Sequence, residues 1–270
     1  MNEIEKISSR DNHRMVNARK VRDGREDGRI FVEGKRLAAE ALRSGIAVDE
    51  CFFVSGFDND DLLYAAADKA ERTFELSAKL FDSIADTKSP QGIILIAKRP
   101  PNGREMIEHR LRAGNSTLPL VLFLKEINNP ANLGAILRTA EAAGVSGVIV
   151  STGSADVYSA KATRAAMGAS FRVPVWDGVT FDEGVEWAKG LGLTTIAADI
   201  SADKSYADTD WTDSAMLIFG TEAHGLSVEE LASVNNKILI PMADGVESLN
   251  LAVSAGIIMF EAVRQLTTDN

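Results

Sequence analysis

The stretch NPANLGAILRTAEAAGV, residues 129 to 145, decides the fold. Asn129 can cap a helix, Pro130 suits its first turn, and Leu133, Ile136, Leu137 and Ala140 recur at helical spacing. The apolar run PLVLFLKE (119–126) before it reads as a strand, and GVIVST (147–152) after it as another. These strands are continuous apolar runs, which is how strands of a parallel sheet buried on both faces read. One residue does not fit a plain packing helix. Arg138 sets a guanidinium among small and apolar side chains, so it needs an anionic partner from the protein or from a ligand.

The same alternation continues to the end of the chain. SAKATRAAMGAS (159–170) and FDEGVEWAKGLG (181–192) read as helices, with VPVWD extended between them. TTIAAD (194–199), AMLIFG (215–220) and KILIPM (237–242) read as strands, SVEELAS (227–233) as a short helix, and SLNLAVSAGIIMFEAVRQL (248–266) as a long closing one. Residues 118–270 are thus expected to form one parallel-sheet α/β domain. Upstream, RIFVEG, VDECFFV and QGIILIAKR read as strands. KRLAAEALRSG, DDLLYAAADKAER and SAKLFDSIAD read as helices, and FEL as a short extended piece. This predicts a small α/β domain over 1–98. The proline- and glycine-containing segment 99–117 is expected to be the linker.

Composition places the chain among ordinary globular proteins: 270 residues, 45% hydrophobic and 25% charged. Its apolar runs are too short to span a bilayer, and MNEIEKISSR lacks the apolar core of a signal peptide. The single cysteine, Cys51, rules out an internal disulfide and fits a reducing compartment, so the cytoplasm is expected. Net charge is −10. Residues 10–36 nevertheless hold nine Lys or Arg against five Asp or Glu. That segment reads either as a solvated helix of mixed charge or as a basic edge following a phosphate backbone.

Ligands in open parallel sheets bind at the carboxyl ends of strands. Three loops there stand out: LKEINNPANLG, LIFGTEAHGLS and ILIPMADGVESLN. In the second, Gly220 and Gly225 permit close backbone approach to a ligand, although a tight turn with Glu222 at the surface explains the loop equally well. In the third, Ser248 can cap the last helix, and Asn250 would stand in its first turn beside any bound anion. There is no GxGxxG and no GxxxxGK[ST], and His13, His109 and His224 lack metal-ligand spacing, so no metal is expected. His224 reads as a solvated loop residue.

Taken together, in this order and spacing, the three loops closely resemble the motifs of the SpoU/TrmH group of SPOUT methyltransferases, which methylate ribose 2′-hydroxyls of ribosomal or transfer RNA. The resemblance covers residues 119–265. The amino-terminal region resembles the small L30e-like domain that helps many members hold RNA. It implies a deep trefoil knot, S-adenosylmethionine as cofactor, and a homodimer through the carboxy-terminal domain. By the motif match Arg138 faces the RNA phosphate and target ribose, steadied by Asn132, with Glu222 orienting it and Ser248 and Asn250 completing the pocket. The cofactor is expected on the backbone of Gly220, Ile240 and Leu249, with Thr195, Ala197 and Met242 nearby. Arg14, Arg19, Lys20 and Arg22 are the expected RNA contacts. Arg138 would stabilise the forming alkoxide, or act as the general base itself, although a guanidinium is a poor base.

The expected substrate is 23S ribosomal RNA. Transfer RNA and the thiostrepton-type resistance reaction are the alternatives within the class. A non-catalytic RNA-binding protein is the alternative outside it. A nicotinamide dehydrogenase and the doubly wound methyltransferase fold are disfavoured by the missing glycine-rich turns.

Overall fold

The computed structural model describes residues 4–113 and 118–268. The first elements are β1 (Ile4–Ile7), α1 (His13–Arg22), β2 (Arg29–Glu33), α2 (Lys35–Ser44), β3 (Val48–Val54), α3 (Asp60–Lys69), β4 (Ala70–Leu76), α4 (Ala78–Ile84) and β5 (Ile93–Lys98). They form a five-stranded mixed sheet in the order β1-β4-β3-β5-β2. The chain continues through α5 (Arg104–Arg112), β6 (Leu118–Leu124), α6 (Pro130–Ala143), β7 (Val145–Ser151), α7 (Ala160–Ala166), β8 (Val175–Val179) and α8 (Phe181–Gly190). It ends with β9 (Thr194–Ala198), β10 (Ala215–Phe219), α9 (Val228–Ser233), β11 (Asn236–Ile238) and α10 (Leu251–Thr268). The second sheet has the order β11-β9-β10-β6-β7-β8, and every neighbouring pair is parallel.

The chain divides into two compact units. Unit 1 holds residues 1–100 and 156–172; unit 2 holds 101–155 and 173–270. These limits differ from the continuous division read from the sequence. Residues 156–172 carry α7, whose Ala160 joins the core of unit 1 with Phe31, Phe52 and Phe74. The segment read as a linker contains α5, whose Ile107 is fully buried in the core of unit 2 beside Val121, Phe123 and Ile149. Buried apolar side chains, Ala160 among those of one segment and Ile107 in the other, decide each segment's allegiance. Proline and glycine content does not reveal that.

Two further elements depart from expectation. The helix read over DDLLYAAADKAER stops at Lys69, and Ala70 begins a seven-residue strand that pairs with both β1 and β3. Residues of good helical propensity are drawn into the sheet because Phe74 and Leu76 become fully buried there. The amino-terminal IEKI is a parallel edge strand on β4.

In unit 2 the opening stretch behaves as its sequence predicts. Asn129 caps α6, its side chain accepting from the Ala131 N–H at 3.0 Å, and Pro130 stands in the first turn. Gly144 ends the helix in the left-handed conformation at φ 72°. Strand order reverses beside β6: β7 and β8 lie on one side, while β10, β9 and β11 lie on the other. Such a reversal leaves a crevice at the carboxyl ends of the strands. Among the described residues no helix is long and apolar enough to cross a membrane.

Candidate active site

A cleft of about 600 Å³ opens at the carboxyl ends of β9, β10 and β11. Five segments wall it: Ala198 to Ile200 at the end of β9, Phe219 to Gly225 at the end of β10, Ile238 with the 239–250 connection leading into α10, the first turns of α10 at Leu251, Ser254 and Ile258, and Asn132 from the first turn of α6. The volume suits a nucleoside-sized ligand.

A hydrogen-bonded chain ties three of these segments together. Asn250 Nδ2 donates to Asn132 Oδ1 at 3.2 Å, and Asn132 Nδ2 donates to Glu222 Oε1. Asn132 uses both ends of its amide, which couples the α6 turn to the Glu222 loop and to the start of α10. Asn250 is also the cap of α10: its Oδ1 accepts from the Ala252 and Val253 N–H groups. Ser248, read as the cap, instead lies exposed in the cleft wall two residues earlier. The helix starts at Leu251, one turn later than its apolar pattern.

The loop that carries Glu222 is a closed turn. Thr221 and Gly225 exchange both backbone hydrogen bonds at 3.0 Å, and Gly225 sits at φ +67°. The turn folds back so tightly that a Cβ on Gly220 would lie 2.2 Å from the Gly225 carbonyl carbon. Gly220 lines the cleft, yet contact with its own loop already demands glycine there. His224 lies exposed on the same wall.

Of the residues read as binding the cofactor, Gly220, Ile240, Met242 and Leu249 line the cleft. Thr195 and Ala197 do not, and this corrects the sequence reading. Both are fully buried inside β9. The Thr195 hydroxyl donates to Asn235 Oδ1 at 2.8 Å, and Ala197 packs in the core with Phe123 and Met216. A strand advances ~3.3 Å per residue, so only its last residues reach the cleft. Ala198 and Asp199 take that place, and the sequence reading missed them. The signal was available in TTIAAD, where the first polar residue after an apolar run marks the strand end.

Arg138 is not in the cleft wall either. Six residues beyond Asn132, helical geometry turns it about 120° away and carries it ~9 Å along the axis. It is exposed, and its side chain makes no hydrogen bond or ion pair among the described residues. The structure brings Asn132, Glu222, Ser248 and Asn250 to one cleft and leaves the guanidinium outside it.

In unit 1 the four expected RNA contacts are mostly engaged. Arg14 pairs with the buried carboxylate of Glu50 at 2.5 Å. Burial pushes the Glu50 carboxyl above its ordinary range, with the Arg14 hydrogen bond pulling the other way. Arg19 donates to the Arg10 carbonyl at 3.0 Å, and Arg22 to Asp23 at 2.8 Å. Lys20 alone of the four is exposed with no side-chain partner among the described residues. Charge counting could not see that three of these cations are spoken for by the fold.

An all-parallel sheet, a nucleoside-sized cleft at its carboxyl edge and residues of three motif loops meeting in it define a class, and comparison with known proteins agrees. Residues 119–260 match the SpoU rRNA methylase family, and residues 12–95 match an MRM3-like substrate binding domain. The chain belongs to the SpoU rRNA methylase family: it is an RNA methyltransferase that uses S-adenosylmethionine. It is 32% identical, over an alignment 303 positions long, to mouse mitochondrial rRNA methyltransferase 3, covering 93% of this chain and 71% of that one. Among solved structures it is similar to an AdoMet-bound rRNA methyltransferase from Sinorhizobium meliloti, at 26% identity and TM-score 0.82 over 97% of this chain and 98% of that one. It is also similar to an RNA 2′-O ribose methyltransferase, at 26% identity and TM-score 0.76 over 97% and 99%. The resemblance first drawn from the three loops is borne out.

Proposed function

We propose that this enzyme methylates a ribose 2′-hydroxyl of 23S ribosomal RNA. The observation that carries the reading is the Asn250–Asn132–Glu222 chain fixed across one end of a nucleoside-sized cleft. The 2′-O position is supported by similarity to the 2′-O ribose methyltransferase, and the ribosomal substrate by similarity to the rRNA methyltransferases.

S-adenosylmethionine supplies an electrophilic methyl group. The cleft fits it: backbone at Gly220 and Ile240 can meet an adenine edge, and Met242, Leu249 and Ile258 give apolar cover. Asn132 holds Glu222 and Asn250 in fixed positions, so a ribose entering between them meets preset donors and acceptors. Arg138, exposed and without an internal side-chain partner, remains available to an RNA phosphate. For it to stabilise the forming alkoxide, bound RNA or a second copy of the chain has to bring the guanidinium to the cleft, with phosphate or water taking the proton.

Unit 1 supports RNA binding through its match to a substrate binding domain, with Lys20 available on α1. A homodimer through unit 2 is supported by Val253 and Phe260, half-exposed on α10. Knotting is supported by Leu239, whose N–H donates to the Lys204 carbonyl and whose carbonyl accepts from Tyr206. Those two bonds tuck the outgoing chain beside the 199–214 loop. A cytoplasmic location rests on the free, buried thiol of Cys51.

The test is a map of 2′-O-methylated nucleotides in total RNA with and without the gene. One site lost from 23S RNA is the expected result; a site lost from transfer RNA would replace the substrate. With purified enzyme, Arg138→Ala should cut turnover well beyond tenfold. A loss under threefold would remove Arg138 from the mechanism.

A further inference from the structure

The charged residues in the cleft wall all have one sign. Asp199, Glu222 and Glu247 line it, and no Lys or Arg does. The three carboxylates are not equivalent. Glu222 is committed to Asn132. Glu247 is exposed on the 239–250 connection. Asp199 stands at the carboxyl end of β9, half-buried and held in place. Its Oδ1 accepts from the Ser201 N–H at 2.8 Å and from the Ser201 hydroxyl at 2.5 Å, while its backbone N–H donates to the Ile238 carbonyl at 2.9 Å. Its other oxygen, Oδ2, has no partner among the described residues and faces the Gly225 side of the cleft, 3.8 Å from where a Cβ on Gly225 would stand.

A fixed carboxylate with one free oxygen, in a cleft without cations, favours a positively charged ligand. The methyl donor carries a sulfonium, an ammonium and a carboxylate, a net charge of about +1. After transfer the sulfur is neutral, and the product S-adenosylhomocysteine has no net charge. The donor and the product differ at this centre by one methyl group and one positive charge. The reaction therefore removes the charge to which the cleft is matched.

We infer that Asp199 is the counter-charge of the donor sulfonium and makes the cleft prefer S-adenosylmethionine to its demethylated product. This rests on the cofactor reading of the cleft and goes beyond it, because it assigns the preference to one residue outside the three motifs. The consequence is weaker product binding as soon as the methyl group has left, so the cleft empties without a separate conformational step.

Calorimetric titration of the full chain tests it with three probes: S-adenosylmethionine, S-adenosylhomocysteine and sinefungin, whose amine restores a positive charge at the sulfur position. Wild-type protein should bind the two cationic probes about tenfold more tightly than S-adenosylhomocysteine. Asp199→Asn keeps an Oδ1 acceptor for Ser201 and so preserves the turn. It should bring the ratio below threefold by weakening the cationic probes alone. Unchanged S-adenosylhomocysteine affinity in the variant shows that the cleft is still folded. Equal affinity for all three in wild type, a ratio that survives Asp199→Asn, or a uniform loss across the probes would each overturn the assignment while leaving the cofactor reading intact. Failure of all three to bind wild-type protein would instead overturn that reading, and the assignment with it.

Discussion

Gly220→Ala isolates the turn that carries Glu222. The added Cβ would stand 2.2 Å from the Gly225 carbonyl carbon, 2.5 Å from its oxygen and 2.6 Å from the Leu226 nitrogen. All three are backbone atoms, so no side chain can swing aside. Ordinary contact begins near 3.4 Å, so the turn must retreat by about 1 Å. Overpacking of this kind costs about 1–3 kcal/mol. In a unit of this size that is a fall in melting temperature of about 2–12 °C. Retreat also strains the Glu222–Asn132 bond and widens the cleft, so S-adenosylmethionine binding should weaken by tenfold or more, about 1.4 kcal/mol. Gly225→Ala is the comparison. Its φ of +67° makes alanine unfavourable by about 1–2 kcal/mol, but among the described residues the only atom within 4 Å of the new Cβ is Asp199 Oδ2 at 3.8 Å. It should lower stability while keeping affinity within threefold. Thermal unfolding and calorimetry read both quantities. If Gly220→Ala melts within 1 °C of wild type and binds the cofactor within twofold, the turn does not position the site and the steric reasoning fails.

Two further expectations concern ionisable groups away from the cleft. The Arg264 hydrogen bond, and then that of Gln265, pull the Glu261 carboxyl on α10 down to about 2 from 4.5. Because the folded value is the lower one, this contribution is present above pH 4.5 and fades as the pH falls toward 2. Solvent screens the pair, so the effect should be about 1 kcal/mol or less. Urea unfolding at pH 7 and pH 3 should show Glu261→Gln less sensitive to acid than wild type; identical sensitivity would discount the ion pair. Burial pushes the Cys51 thiol up to about 12, and it is fully buried in β3. A disulfide reagent should therefore label the chain only after denaturant unfolds unit 1, and fast labelling of native protein would contradict that core.

The sequence by itself determined the parts governed by local pattern. Apolar runs without alternation announced a parallel sheet, and the four central strands of the six in unit 2, β9, β10, β6 and β7, are such runs. Asn129 and Pro130 set the start of α6, because capping depends on a few adjacent residues. The spacing of the three loops was enough to identify the family, since each loop follows a strand end. Tertiary structure decided what depended on meetings between distant residues. Asn132, Glu222 and Asn250 are bonded to one another across 90 and 118 positions of chain. Arg14 was bound to Glu50 by the pairing of α1 with the sheet of unit 1, and no count of charges could predict it. Thr195 and Ala197 were lost to the core, and Asp199 was gained for the cleft, by where β9 ends. A periodic pattern reports which face of an element is buried. Where that element stops, and what stands opposite it, is settled by packing energies between segments that the sequence keeps far apart.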